Sequence, residues 1–251
     1  MKKSIPFLLT LLMVLCVQFS GAQEKTITPN EDFDKIIVSP HIEAVFVKGT
    51  SPKIEVMDIN VPLEKFNYEI SNKTLQVYLE GAKTVTKQNK YKHNGYKQRI
   101  PIYKNTVARV KITYVDVEVF SLRGEEKITF DSPLDQEACT LRIYGESEVL
   151  VKEAQLENLR VAIYGESHLV VDSGSITNQK ITAYGSSKVR TLNVASKNAK
   201  VTAYGEGTYQ IAVSDRLKVT SYGEANVLYK GSPDLKKGIV IGESTIASVS
   251  Q

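Results

Sequence analysis

Five times between Arg142 and Val227 the chain returns to a tyrosine followed by a glycine: RIYGESEV, AIYGESHL, TAYGSSKV, TAYGEGTY and TSYGEANV. Tyr144, Tyr164, Tyr184, Tyr204 and Tyr222 stand 20, 20, 20 and 18 residues apart. Ile241-Gly242-Glu243-Ser244 follows 19 residues later without the tyrosine, and Arg123-Gly124-Glu125-Glu126 precedes by 21. A fixed period of this length marks a repeat architecture, in which each unit buries its apolar face only by stacking on its neighbours.

The residues inside each unit exclude helical repeats. Leu141-Arg142-Ile143, Leu159-Arg160-Val161-Ala162-Ile163, Lys180-Ile181-Thr182-Ala183 and Lys200-Val201-Thr202-Ala203 alternate with period two and are rich in β-branched side chains. After each glycine comes a second short strand: Val149 to Val151, Leu169 to Val171, Val189 to Thr191, Ile211 to Val213. Two or three strands per repeat, always in the same order, predict an all-β fold, a single-stranded right-handed parallel β-helix (β-solenoid) with about 20 residues per coil. Gly145, Gly165, Gly185, Gly205, Gly223 and Gly242 then mark a corner that needs positive φ. A phosphate-cradling loop is the competing reading of these glycines. No helical segment follows any of them, and there is no G-x-G-x-x-G or Walker-type lysine.

The first 22 residues read as a secretory signal peptide: Lys2 and Lys3, an apolar run from Ile5 to Phe19, then Ser20-Gly21-Ala22 before Gln23. That run is short for a span of about 20 residues, and Leu15 before Cys16 is too large for lipoprotein processing. The chain is therefore expected to be exported, to the periplasm or the outside of a bacterial cell. Residues 23–30 read as an N-terminal tail and 31–251 as one solenoid domain. Downstream of the leader only Cys139 remains, which reads as a small buried apolar side chain with no histidine set beside it. The formal charge of +4 hides an asymmetry, because residues 81–115 carry nine basic side chains and no acid. Within this segment, 82–105 reads as a basic loop or extended hairpin with Asn94-Gly95 as its turn. Lys87, Lys90, Lys92, Lys97 and Arg99 are its candidate contacts with an anionic polymer. A merely solvated insertion is the alternative, and nucleic acid is not an expected partner of an exported chain.

Beyond the repeat, FDKIIVSPHIEAVFVKG (Phe33 to Gly49), YEISNKTLQVYLEG (Tyr68 to Gly81) and ARVKITYVDVEVFSLRGEEKITF (Ala108 to Phe130) complete a pattern over nearly all of 31–251. This pattern resembles the bacterial exported head GIN domain family, also described as putative auto-transporter adhesin. The resemblance implies a right-handed β-helix and no catalytic residues. Where members of that family tend to read Ile-Ser-Gly-Ser-Gly, this chain reads Tyr-Gly-Glu-Ser, so a property special to this member belongs at the tyrosines and glutamates.

Parity sets the direction of those side chains. With Leu141 and Ile143 inward, Arg142 and Tyr144 face out, and the same holds in the later coils. The five tyrosines Tyr144, Tyr164, Tyr184, Tyr204 and Tyr222 are the candidate binding strip, for stacking sugar rings or a protein surface. Mutual packing, at roughly 0.2–1 kcal/mol per pair, is the plain alternative. Glu146, Glu166, Glu206, Glu224 and Glu243 form a second column, interrupted by Ser186. Carboxylates at strand spacing repel by roughly 1 kcal/mol in water, so splayed and solvated side chains are expected. Calcium would require six to eight oxygens and aspartate-rich turns, so no metal or cofactor is expected. Parallel β-helices also carry polysaccharide-acting enzymes, but a near-uniform acid ladder does not divide acid from base. The expected function is a non-enzymatic binding or adhesion module for glycan or an envelope protein. A structural element of the cell envelope and a polysaccharide-acting enzyme are the alternatives.

Overall fold

A computed structural model describes residues 25–93 and 96–249; the expected leader at 1–22 and the expected turn at Asn94-Gly95 lie outside the described residues. About 68% of the described residues are strand, and the serial coils of about 20 residues stack into about six turns of a β-solenoid. Each repeat supplies one long strand and one short strand. The long strands Leu134–Gly145, Ala154–Gly165, Gly174–Tyr184, Val194–Tyr204, Arg216–Tyr222 and Asp234–Ile241 pair in parallel, each with the next. The short strands Glu148–Val151, His168–Val171, Ser187–Thr191, Gly207–Ala212, Ala225–Lys230 and Thr245–Ser248 do the same on the other side.

Alternation within the long strands contains one slip that the repeat alone did not reveal. In Ala154–Gly165 the buried residues are Ala154 and Leu156, then Leu159, Val161 and Ile163. The step from 156 to 159 breaks period two, and Glu157 is skipped in the ladder. The strand bends there, so each coil has three sides with a corner at Glu157–Asn158. Asparagines line that corner: Asn178 Nδ2 donates to Asn158 Oδ1 at 3.2 Å and Asn198 Nδ2 to Asn178 Oδ1 at 3.0 Å. Arg216 Nε completes the ladder on Asn198 Oδ1 at 2.9 Å.

The tyrosine-side corner is built by the other letters of the motif. All six predicted glycines have φ between 96° and 132°. At Gly165 a Cβ would stand 2.3 Å from the carbonyl oxygen of Gly145, so glycine is needed for the φ and for the close approach of the coil below. The serine two residues later turns inward. Ser147 Oγ donates to Gly124 O and Ser167 Oγ to Gly145 O, each at 2.9 Å, and the Ser147 amide donates to Ser167 Oγ at 3.1 Å. In Tyr-Gly-Glu-Ser, then, the glycine and the serine build the corner.

The coils are serial only from Val119 onward. In space the outermost coil is Thr74–Leu79 with Ala108–Tyr114, the next is Lys35–Val38 with Ile42–Lys48, and then come Val119–Gly124 and Lys127–Phe130. From Lys35 the chain thus builds the second coil first, steps outward and returns. Lys53–Ile59 and Phe66–Ser71 close that end as antiparallel strands, and Lys25–Ile27 adds a further strand at the edge. Large rings fill the core beneath this cap, with Phe46 stacked on Phe130 at 4.9 Å and Phe120 edge-on to both. At the opposite end Asp234–Ile241 and Thr245–Ser248 each pair on one side only among the described residues.

Candidate binding face

Tyr144, Tyr164, Tyr184, Tyr204 and Tyr222 lie in register on consecutive long strands and point outward, while Ile143, Ile163, Ala183, Ala203 and Ser221 beside them are buried. Successive ring centroids are 5.0, 4.9, 4.8 and 5.1 Å apart, and successive planes differ by only 7°, 4°, 3° and 2°. The stack is continuous, with the Arg123 guanidinium 5.8 Å over Tyr144 at one end and Ile241 paired with Tyr222 at the other. The ring faces are consequently spent on one another. What solvent meets is a strip of ring edges and hydroxyls, most open at Tyr164, Tyr184 and Tyr204, which are 43%, 40% and 38% exposed. A sugar ring has no free aromatic face to lie on between Tyr144 and Tyr222, so contact falls to the edges and the phenol oxygens.

Glu146, Glu166, Glu206, Glu224 and Glu243 are all exposed at the corner beyond the tyrosines. Their solvation is the physical answer to like charges at strand spacing. No three of the described His, Cys, Asp and Glu residues converge as metal ligands. The basic segment is an antiparallel hairpin, Gln88–His93 with Tyr96–Pro101, which forms a two-stranded sheet of its own. Lys90 faces Arg99 and Lys92 faces Lys97 across it, an arrangement in which like charges oppose pairing. Lys87 sits at the root, where its amide donates to Gly81 O at 2.8 Å and its carbonyl accepts from the Ile102 amide at 3.0 Å. The tyrosines and glutamates therefore share one corner of the coils, and the five basic candidates belong to a separate arm near the capped end.

Glu126 was not among the candidates from sequence. It occupies the place of Ser147 and Ser167 one coil earlier, and its carboxyl is almost wholly buried. Oε2 accepts from the Glu125 amide at 2.9 Å, and Oε1 lies 3.8 Å from His41 Nδ1. Burial raises this carboxyl above its ordinary value of 4.5, against the hydrogen bonds that act the other way. His41, at φ 70°, holds the root of the basic arm. A proton on Nδ1 satisfies Asn105 O at 2.7 Å and leaves Nε2 to accept from Thr86 Oγ1 at 2.6 Å. The signal was present in Arg123-Gly124-Glu125-Glu126, where a long acid replaces the small fourth residue of the motif. Cys139 is buried, and loss of water pushes its thiol up to about 12, as fits a packing residue.

The family model described as "Putative auto-transporter adhesin, head GIN domain" matches residues 32–233. The chain belongs to the head GIN domain family. No curated protein matches this head GIN chain. Among solved structures its fold is similar to that of a putative adhesin from Bacteroides fragilis, at 15% identity and TM-score 0.75 over 91% of this chain and 98% of that one. A putative adhesin from Parabacteroides merdae aligns at 19% identity and TM-score 0.68 over 92% and 98%. A protein from Parabacteroides distasonis titled "putative lipid binding protein" aligns at 16% and 0.66 over 92% and 98%. At such identities these likenesses establish the shared head GIN fold and nothing finer.

Proposed function

We propose that this head GIN protein is an exported, non-enzymatic binding module for adhesion, and that Tyr144, Tyr164, Tyr184, Tyr204 and Tyr222 form its contact strip for a glycan or a protein. The observation that carries this reading is the order of the strip: five rings held parallel within 7°, with the three central ones open to solvent. A surface already ordered in the free protein loses little conformational freedom when a partner docks. Tyrosine also gives an apolar edge and a hydroxyl at low entropic cost, the combination that recurs in paratopes. Glu146, Glu166, Glu206 and Glu224 border the strip with acceptors for partner hydroxyls, and the arm bearing Lys87, Lys90, Lys92, Lys97 and Arg99 offers a second contact with anionic surfaces. The adhesin label of the family supports the same direction, and adhesion requires export, for which residues 1–22 would be the leader.

The test is a glycan array probed with the wild type beside the Tyr164→Ala/Tyr184→Ala variant, together with pull-down against envelope proteins. Signals carried by the wild type are expected to fall at least tenfold in the variant. Signals retained in full remove the strip from the function.

The open end of the solenoid favours a second reading, an assembly element of the envelope. Ile239, Val240 and Ile241 on the last long strand are 56%, 38% and 60% exposed, and an unpaired strand edge is a template for another chain. Sedimentation of the wild type and of Val240→Lys decides it. Concentration-dependent association that the lysine abolishes supports assembly, and a monomer at all concentrations excludes it.

A further inference from the structure

Four residues before each of the last four tyrosines stands a cation. Arg160, Lys180, Lys200 and Lys218 pair in register on successive coils, and Lys236 continues the column beyond Lys218. Their neighbours Val161, Ile181, Val201 and Val219 are buried, so the five cations point outward on the tyrosine side of the solenoid, and all five are exposed. None of them forms an ion pair with a described acid. A shallow groove of about 460 Å³ runs along the coils here, lined by this column on one side and by the ladder Asn158, Asn178, Asn198 and Arg216 on the other. Asp234 is its one acid, at the last coil. Between the cations and the tyrosines lie Thr182, Thr202 and Thr220.

This arrangement does nothing for the fold. Like charges directly opposite on adjacent strands weaken pairing, and a sequence selected only for stability would alternate signs. Asp234 apart, no acid lines the groove, and an exposed glutamate column lies past the tyrosines. The coil rise is reported directly by the ring spacing of 4.8–5.1 Å, so five cations span about 19 Å at the strand spacing. The groove is open along its length, which suits an extended polymer better than a small molecule. One sugar unit of a polysaccharide is comparable in length to one coil. A chain laid along the axis would therefore present carboxylates to the cation column, with sugar hydroxyls toward the asparagine, threonine and tyrosine columns.

We propose that this groove binds a linear acidic polysaccharide, its carboxylates aligned with Arg160, Lys180, Lys200, Lys218 and Lys236. The inference rests on the binding-module reading and names the ligand class, while moving the main contact from the tyrosines to the column beside them. The sheet holds the charges in place, so affinity is expected to fall with added salt as the ionic contacts are screened.

Binding of the full chain to polygalacturonate is measured by calorimetry, with its fully methyl-esterified counterpart as a neutral copy of the same backbone. The wild type is expected to bind the acid polymer and not the ester. Lys180→Gln/Lys200→Gln, with unchanged circular dichroism, is expected to lose at least tenfold in affinity, while Lys188→Gln/Arg190→Gln, exposed on the short strand Ser187–Thr191 of the other sheet, keeps wild-type affinity. The proposal is overturned if the wild type binds none of polygalacturonate, alginate and hyaluronate. It is also overturned if the ester binds as well as the acid, or if the Lys188→Gln/Arg190→Gln variant rather than the column variant loses affinity. Stronger binding to phosphatidylglycerol vesicles or polyphosphate than to any acidic polysaccharide overturns it as well, because phosphate would then be the ligand. The Tyr164→Ala/Tyr184→Ala variant separates the two readings: polygalacturonate affinity kept there but lost in the lysine variant supports the groove and removes the strip.

Discussion

Replacing Gly165 by alanine tests the central physical claim about the corner, that backbone-to-backbone approach between coils is what the repeated glycine permits. A non-glycine residue at φ 126° is held in a sparsely populated region, which costs of order 1–3 kcal/mol. The new Cβ would stand 2.3 Å from Gly145 O, an atom fixed in the ladder, so the coils must part locally. That carbonyl accepts two hydrogen bonds at 2.9 Å, from the Glu166 amide and from Ser167 Oγ. Losing or stretching both adds about 1 kcal/mol each. The expected loss is thus about 3–5 kcal/mol, against less than about 0.5 kcal/mol for Glu166→Ala at the exposed next position. Urea denaturation followed by circular dichroism measures both variants. A Gly165→Ala protein within about 1 kcal/mol of the wild type would refute the account of the corner.

Ser167→Ala removes one donor to Gly145 O and the acceptor of the Ser147 amide, and is expected to cost about 1–3 kcal/mol because a buried amide is left unpaired; the same denaturation series checks it. Glu126 binds its proton more tightly in the folded protein than in the unfolded chain. The wild type should therefore lose stability, relative to Glu126→Gln, as pH rises from 4.5 through the raised folded value, so thermal midpoints of the two proteins should draw apart as pH rises above 4.5 and coincide more closely below. Cys139, buried and with its thiol near 12, should react with an aromatic disulfide reagent only at the rate of unfolding, and fast labelling in native buffer would contradict its packing role.

A basic column in register escaped notice in the sequence although its letters are as periodic as the tyrosines. The eye follows rare residues, and lysine on an outward strand position is the default of any soluble sheet. Its meaning depends on what faces it: the asparagine corner, a lining with Asp234 as its one acid, and a groove that exists only because the long strand bends at Glu157–Asn158. Glu126 was hidden in the same way, since one acid among several becomes exceptional only when its side chain is found under the root of the basic arm.

By itself the sequence determined the class of fold, the coil length, the six positive-φ corners and the outward parity of the tyrosines. All of these follow from local rules: a period near 20, alternation of two and the steric demand of a left-handed backbone. Tertiary structure alone decided that the ring faces pack on one another rather than await a ligand, because stacking depends on the coil rise. It also decided that the second coil is built before the first and that antiparallel strands cap the first, since which edge a strand joins depends on partners distant in sequence.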